Sequence, residues 1–524
     1  MHWTLAALTS VLAMATAAWA GTARHVIIIS IDGLHQADLT DPALQDRFPT
    51  LLATAGSGVW YQNASASTPS DSLPGTLAYL TGAGPATTGV YYDVSYSRAL
   101  LPPGSAAGAA MGTQILIDEA IDSDDTLLSG GGDFAKGSID PAKLARDPAR
   151  GGAQVYPHDY LKVNTVFEVA HAAGLRTSMM DKHPAYEIAN GPSGKGVDDL
   201  FCPEIDAKAA LVDGKLLDRT TAPAGIKLAS VNKDVALAMA YDDLKISALV
   251  REIHGQDSGG KAGVGAPALA AINLQAVTIA EKVRKGGIDR VDGKEVISPR
   301  LLQAMQHSDW AIATVISELK SAGMWDQTLL IVTAKHGQNP RIGAARLVKQ
   351  TVIPGALEKA GIAVASRTMD DLALLWLSDR AKTAQAAGIL QDMAGGSDNP
   401  GIAQIYWGDS LRAAHLAGPD DRSPDIVVAL QPGVLLTDSS AKRSDHGGFC
   451  EDDTRVPIIL AGGALDATDR GIVNQVPVKT TQIAVTALVA LGLNPDALQG
   501  AKLEHTQPLP GAGLETALEA NYKH

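Results

Sequence analysis

Thr68-Pro-Ser-Asp-Ser-Leu-Pro-Gly75 is a hydroxyl-rich turn that runs into the helical Leu77-Ala-Tyr-Leu80 and stops at Thr81-Gly82. Upstream of it lies His25-Val-Ile-Ile-Ile-Ser30, followed by Ile31-Asp32-Gly33. That run is apolar on both pleat faces, as a strand buried within a parallel sheet must be. It delivers Asp32 to the carboxyl edge of the sheet, where open α/β folds build their sites. A serine at the start of the following helix sits beside unpaired backbone N–H groups, which suit an anionic phosphoryl or sulfuryl oxygen.

The alternation of apolar strands and amphipathic helices continues along the chain, so it reads as a parallel α/β sheet with insertions. A helix over residues 164–173 is stopped by Gly174, and a strand over 175–180 ends in Asp181-Lys182-His183-Pro184. Helical spacing of Val235, Leu237, Met239, Leu244 and Leu249 predicts a helix over 233–254. Residues 267–272 form a strand leading into Asn273-Leu-Gln275. Ser298-Pro299 is a cap with proline at the first helical position, and its helix runs to Ala322. The strand 328–333 ends in Ala334-Lys335-His336-Gly337. Further core strands are expected over 425–430 and 456–460, with a last helix over 480–491. Residues 91–159, rich in Gly, Ala, Asp and Pro, and residues 190–265 read as two insertions.

Composition is globular, with 46% hydrophobic and 19% charged residues, and 524 residues suit one elaborated α/β domain. A net charge of −14 argues against a binder of nucleic-acid polymers or anionic membranes. A local cationic pocket for a small anion remains compatible with it. Residues 3–18 carry no charge and precede Ala18-Trp19-Ala20, so residues 1–20 read as a secretory signal and a periplasmic or secreted location is expected. No other stretch is long and apolar enough to span a membrane. In an oxidising compartment Cys202 and Cys450 are either bridged or two inert thiols. Nothing in the sequence speaks to oligomeric state.

The Asp-Gly strand end, the hydroxyl before an aliphatic residue and Pro74, and two later His-Gly turns resemble the type I phosphodiesterase/nucleotide pyrophosphatase branch of the alkaline phosphatase superfamily. The Ser444-Asp445-His446-Gly447-Gly448 stretch is also similar to phosphonoacetate hydrolase-like relatives. The resemblance implies a three-layer α/β sandwich with a mostly parallel central sheet, residues 21–524 forming one catalytic domain whose insertions cap the cleft. It implies a Ser or Thr nucleophile between two divalent metals, zinc by expectation, one or two of them here. Carried over by position, Ser72 is the nucleophile and a metal ligand, with Ser70 the second candidate. Asp32, His336 and His446 are metal ligands.

Departures from the pattern accompany these matches. Lys335 stands where the family has a metal-binding Asp, and its ammonium is expected to supply charge in place of an ion. Asn273, Gln275 and Val277 occupy the stretch of an Asp-x-x-x-His pair, and Gly75 the place of an oxyanion-binding Asn. Asp445 is the first carboxylate expected to rebuild a metal site, followed by Asp181, Asp198, Asp199 and Asp452. Lys182, His183, Asn273 and Gly75 are expected to border the bound anion. The resulting expectation is an exported hydrolase of phosphodiesters or nucleotide pyrophosphates acting through a covalent phospho-enzyme on a small anionic substrate. The alternatives are a metal-poor, non-catalytic anion binder, or a sulfate-ester or phosphonate hydrolase on the same scaffold. Tyr91, Tyr92 and Tyr186 are the candidates for stacking a nucleobase.

Overall fold

The computed structural model describes residues 23–106, 108–132 and 138–511. The expected signal segment, residues 1–20, lies outside them. Eight strands form the central sheet, in the order Ile472–Asn474, Val59–Tyr61, Ile458–Ala461, Thr328–Thr333, His25–Ile31, Leu269–Leu274, Thr177–Met180, Asp199–Phe201. All neighbours run parallel except the two pairs made by Ile458–Ala461, which is the single reversed strand. Alternate side chains of His25–Ile31 serve different layers. Ile27, Ile29 and Ile31 join the core under Val235–Ile253 and Pro299–Ser321, while Val26 and Ile28 join the core under Ser72–Thr81 and Thr481–Ala490. This is a mostly parallel sheet covered by helices on both faces, as the both-face apolar pattern requires.

The elaborations differ from the sequence reading in three ways. Asp199–Phe201 lies within the second expected insertion, yet it extends the central sheet by pairing with Thr177–Met180. Ile426–Leu430 is not a strand of the central sheet. It belongs to a separate antiparallel sheet ordered Val364–Met369, Leu372–Leu377, Ile426–Leu430, Ile402–Trp407. Its apolar pattern is nevertheless genuine, because one face packs on helices Val352–Lys359 and Thr383–Gly395 and the other on Tyr91, Tyr92 and Leu416. Burial on both faces produces the same residue pattern whichever sheet provides it. A further short helix, Gln499–Glu504, follows Thr481–Ala490, so the latter is not the last.

Candidate active site

The sheet register sets the polar strand ends side by side. Ser30 pairs with Asn273 on one flank and Thr333 on the other, and Met180 pairs with Ile272. Asp32, Asp181 and Lys335 therefore emerge at the same carboxyl edge as Asn273. Ser72 opens the helix Ser72–Thr81, with Asp71 as N-cap accepting from the Leu73 N–H at 3.2 Å. Every residue of this helix is buried. It can approach the Lys335 strand end because Gly75 has no side chain: a Cβ there would lie 2.4 Å from the Lys335 carbonyl oxygen. The Asn that the family carries at this place has no room here, and Gly75 contributes packing rather than an amide.

Ser72 Oγ is the meeting point of two nitrogens. Lys182 Nζ donates to it at 3.0 Å, and His336 Nε2 lies 3.1 Å away. His336 Nδ1 is 2.7 Å from the Gly337 carbonyl, which can only accept, so Nδ1 carries a proton and Nε2 faces the site. Asp32 Oδ1 is 2.6 Å from the same Nε2. The other Asp32 oxygen accepts from Gln275 Nε2 at 2.5 Å and lies 3.3 Å from Lys335 Nζ and 3.8 Å from Lys182 Nζ. Burial opposes the Asp32 charge, but His336, Lys335 and Lys182 overcome it and hold the carboxyl well below the usual carboxylate range. The His446 ring stacks on His336 at 3.7 Å between centroids. Burial, then His336 and Lys282, push His446 well below the ordinary imidazole value, so it is neutral.

Lys335 is wholly buried, lying 3.7 Å from Asp181 and donating to Tyr186 Oη at 3.2 Å. Asn273 donates to Asp181 at 3.1 Å and to Asp32 at 3.5 Å. Other expected residues have partners elsewhere. His183 pairs with Glu204 at 2.9 Å, and Asp445 is engaged by Lys282 at 3.0 Å and by Lys442. Asp198 caps Thr177, Asp199 holds Ser258, and Asp452 accepts from the Arg341 N–H. Ser70 Oγ donates to the Gly448 carbonyl at 3.0 Å and accepts from Gly447, which ties the His446 turn in place. Tyr91, Tyr92 and Tyr186 are all buried, so none offers a ring face for a base to stack on. Cys202 and Cys450 are unbridged.

The sequence matches the model of the type I phosphodiesterase / nucleotide pyrophosphatase family over residues 26–106 and 284–449. The chain belongs to this family. It is a phosphoric ester hydrolase of the phosphodiesterase/nucleotide pyrophosphatase type. No curated protein matches the sequence. Among solved structures, murine ectonucleotide pyrophosphatase / phosphodiesterase 5 superposes with a TM-score of 0.55 at 13% identity, covering 90% of this chain and 96% of that one. One of the murine structures is an inactive variant in complex with AMP. The human protein of the same name gives a TM-score of 0.54 at 12% identity, over 90% and 95% of the two chains. At such identities the likeness is one of fold, here the alkaline-phosphatase-like one.

Members of the family are metal-dependent, and the donors of this chain can be tested against a metal pair. One metal position retains only His446, because Asn273 directs its amide N–H groups at carboxylates and Val277 is a fully buried hydrocarbon. The other retains Asp32, Ser72 and His336, but the ammonium groups of Lys335 and Lys182 lie against those same ligands. A divalent ion there would face two cations at a few ångströms, a repulsion that burial strengthens. The donor set does not fit a two-metal centre. Among the described residues, the one group of three such side chains with converging ligand atoms is His35, Asp38 and Glu281, which shares no member with this site. Sequence reasoning missed Gln275 as a donor to Asp32, Tyr186 as the partner of Lys335, and Asp71 beside His446 at 3.7 Å. Asp71 had a signal, since Ser-Asp-Ser before a helix is a cap pattern. The other two depend on long-range packing.

Proposed function

We propose that this chain hydrolyses a small phosphodiester or nucleotide pyrophosphate by attack of Ser72 Oγ on phosphorus, through a covalent phosphoseryl intermediate that keeps the substrate's other ester group. One observation carries the reading: Ser72 Oγ lies within hydrogen-bond reach of both Lys182 Nζ and His336 Nε2 at the start of a buried helix. A cation and helix N–H groups beside the hydroxyl suit the charge of the phosphoryl oxygens, and a nitrogen base suits the attacking oxygen. Ser70, fixed between Gly447 and Gly448, is the structural hydroxyl of the pair. AMP in the murine fold neighbour makes nucleoside phosphate esters the first substrates to try.

The reading includes export, on the strength of the Ala18-Trp19-Ala20 site and the uncharged stretch before it. Exported protein should begin at Gly21, and N-terminal sequencing that starts at Met1 would refute cleavage. The chemistry is tested by rapid acid quench of the protein with an aryl phosphodiester and mass mapping of the adduct. The phosphoryl group with its remaining ester substituent on the Ser72 peptide is the expected result, and turnover with no such adduct on any serine would refute it. Anion binding without turnover of any phosphate ester would leave the non-catalytic alternative.

A further inference from the structure

We infer that this centre transfers the phosphoryl group without a metal pair: His336 is the base for Ser72, Lys182 is the cation for the phosphoryl oxygens, and Lys335 is the positioning cation that fixes Asp32. This rests on the Ser72 reading and goes beyond it. His336 Nδ1 is committed to the Gly337 carbonyl, so Nε2 is the nitrogen turned toward the site, 3.1 Å from Ser72 Oγ. Asp32 Oδ1, 2.6 Å from that nitrogen, stabilises the imidazolium once the proton arrives. Lys182 Nζ, 3.0 Å from Ser72 Oγ and partly exposed, reaches where a phosphoryl oxygen comes to rest during attack. Lys335, fully buried between Asp32, Asp181 and Tyr186, does not touch substrate; it holds Asp32 Oδ2 and leaves Oδ1 for His336.

The bond changes balance without an added ion. Ser72 Oγ gives its proton to His336 Nε2 and bonds to phosphorus, and the phosphorus–oxygen bond to the leaving group breaks, its electron pair departing with that oxygen. Solvent protonates the leaving oxygen. Water then bonds to phosphorus from the side the leaving group vacated and releases a proton to solvent. The Ser72 Oγ–phosphorus bond breaks with its pair on Oγ, which recovers the proton from His336. One ester and one water become one phosphate monoester and one alcohol. Lysine acts here as a compact point charge, a role it fills for phosphate elsewhere.

The full-length protein is dialysed against chelator, its zinc, manganese and magnesium are measured, and turnover of bis(4-nitrophenyl) phosphate and binding of inorganic vanadate are followed in parallel. Turnover that survives in metal-free protein is the expected result, with Lys182→Met and His336→Gln each lowering it roughly 10²–10³-fold. Vanadate binding to the metal-free protein should weaken about tenfold or more in Lys182→Met. Lys335→Asp, which recreates a carboxylate next to His336, should raise the zinc content above that of the parent, a change that a merely structural lysine would not produce. Turnover abolished by chelation and restored by stoichiometric zinc overturns the inference and leaves the hydrolase reading standing. Absence of turnover of diester, monoester and nucleotide pyrophosphate with or without metals refutes the hydrolase reading instead. Vanadate then still decides the lysine assignment: binding that depends on Lys182 supports it, and none overturns it.

Discussion

Two buried histidine–carboxylate clusters, one around His35 and one around His336, differ in what they leave free. In the first, His35 Nδ1 meets Asp38 at 3.1 Å while Nε2 is held by the backbone of Gln338. Arg341 binds Asp38 at 2.8 Å and Asp41 at 2.7 Å. In the second, His336 shares one nitrogen between a carboxylate and a hydroxyl. Asp181 Oδ2, Asn273 Oδ1 and His446 Nδ1 around it have no hydrogen-bond partner, whereas among His35, Asp38 and Glu281 this holds only for Glu281 Oε2. Burial, a histidine and an aspartate are common to both. A hydroxyl held between two nitrogens and unpaired acceptors mark the cluster proposed to be reactive, and closed ion pairing marks the structural one.

The largest contrast comes from removing the hydroxyl. Ser72→Ala is expected to lower aryl phosphodiester turnover by roughly 10⁴-fold or more, as loss of a covalent nucleophile does. Ser70→Ala should keep most of it, at some cost in stability. Equal losses would mean that both hydroxyls act on the phosphoryl group. In the first cluster, Arg341→Met should act on stability alone. Its guanidinium is buried against two carboxylates, and leaving them unpaired costs about 3–5 kcal/mol. Denaturant unfolding should show that loss, while kcat per folded molecule stays at the parental value. A fall in kcat of the folded fraction would couple the two clusters.

The same cluster predicts a pH dependence. Burial works against the His35 charge, but Asp38, then Glu281, raise its pKa to about 9. Asp38, paired with His35 and Arg341 despite its burial, is lowered to about 2. The folded state therefore holds the His35 proton more tightly than the unfolded chain. That stability is complete below about pH 6.5 and is lost as pH rises through about 9, with a slope of ~1.4 kcal/mol per pH unit between them. The Asp38 contribution runs the other way, present above about pH 4 and lost as pH falls through about 2. Glu281, driven up by burial, also holds its proton more tightly in the folded state, and its contribution begins to be lost as pH rises above about 4.5. The melting temperature should fall between pH 6.5 and 9, and His35→Gln should flatten most of that fall. An unchanged slope in His35→Gln would assign it to other groups.

How far the sequence carried the fold and the site follows from where the information sits. His25–Ile31 and Thr328–Thr333 were legible because both-face apolar runs ending in polar residues have few other readings. The candidate site residues Asp32, Ser72, Lys182 and His336 were legible as strand or helix ends, and the structure sets them side by side. The separate sheet around Leu372–Leu377 was not legible, since its core-facing pattern does not say which sheet it joins. Asp309, within Pro299–Ser321, is buried, with its carboxylate accepting the Thr50 and Leu51 N–H groups at the start of the neighbouring helix Pro49–Gly56. Such contacts join residues far apart in sequence and leave no local pattern.

The smallest effect, and the sharpest probe of how the clusters are kept apart in function, lies at Gly75. It makes no hydrogen bond to the site through a side chain, yet it sets the distance between the Ser72 helix and the Lys335 strand end. An added Cβ would meet the Lys335 carbonyl oxygen at 2.4 Å and the Lys335 Cβ at 3.0 Å, both backbone-anchored and unable to swing aside. The helix must then move outward, and overpacking of this kind costs about 1–3 kcal/mol. Gly75→Ala should lower stability by that amount and also lengthen the Ser72–His336 and Ser72–Lys182 contacts, so kcat falls while the protein remains folded. A Gly75→Ala protein with lowered stability and parental kcat would show that the helix moves as a unit with Lys182 and His336. Unchanged stability would mean that the Lys335 turn relaxes instead, and the close approach of helix and strand end would not be what positions the nucleophile.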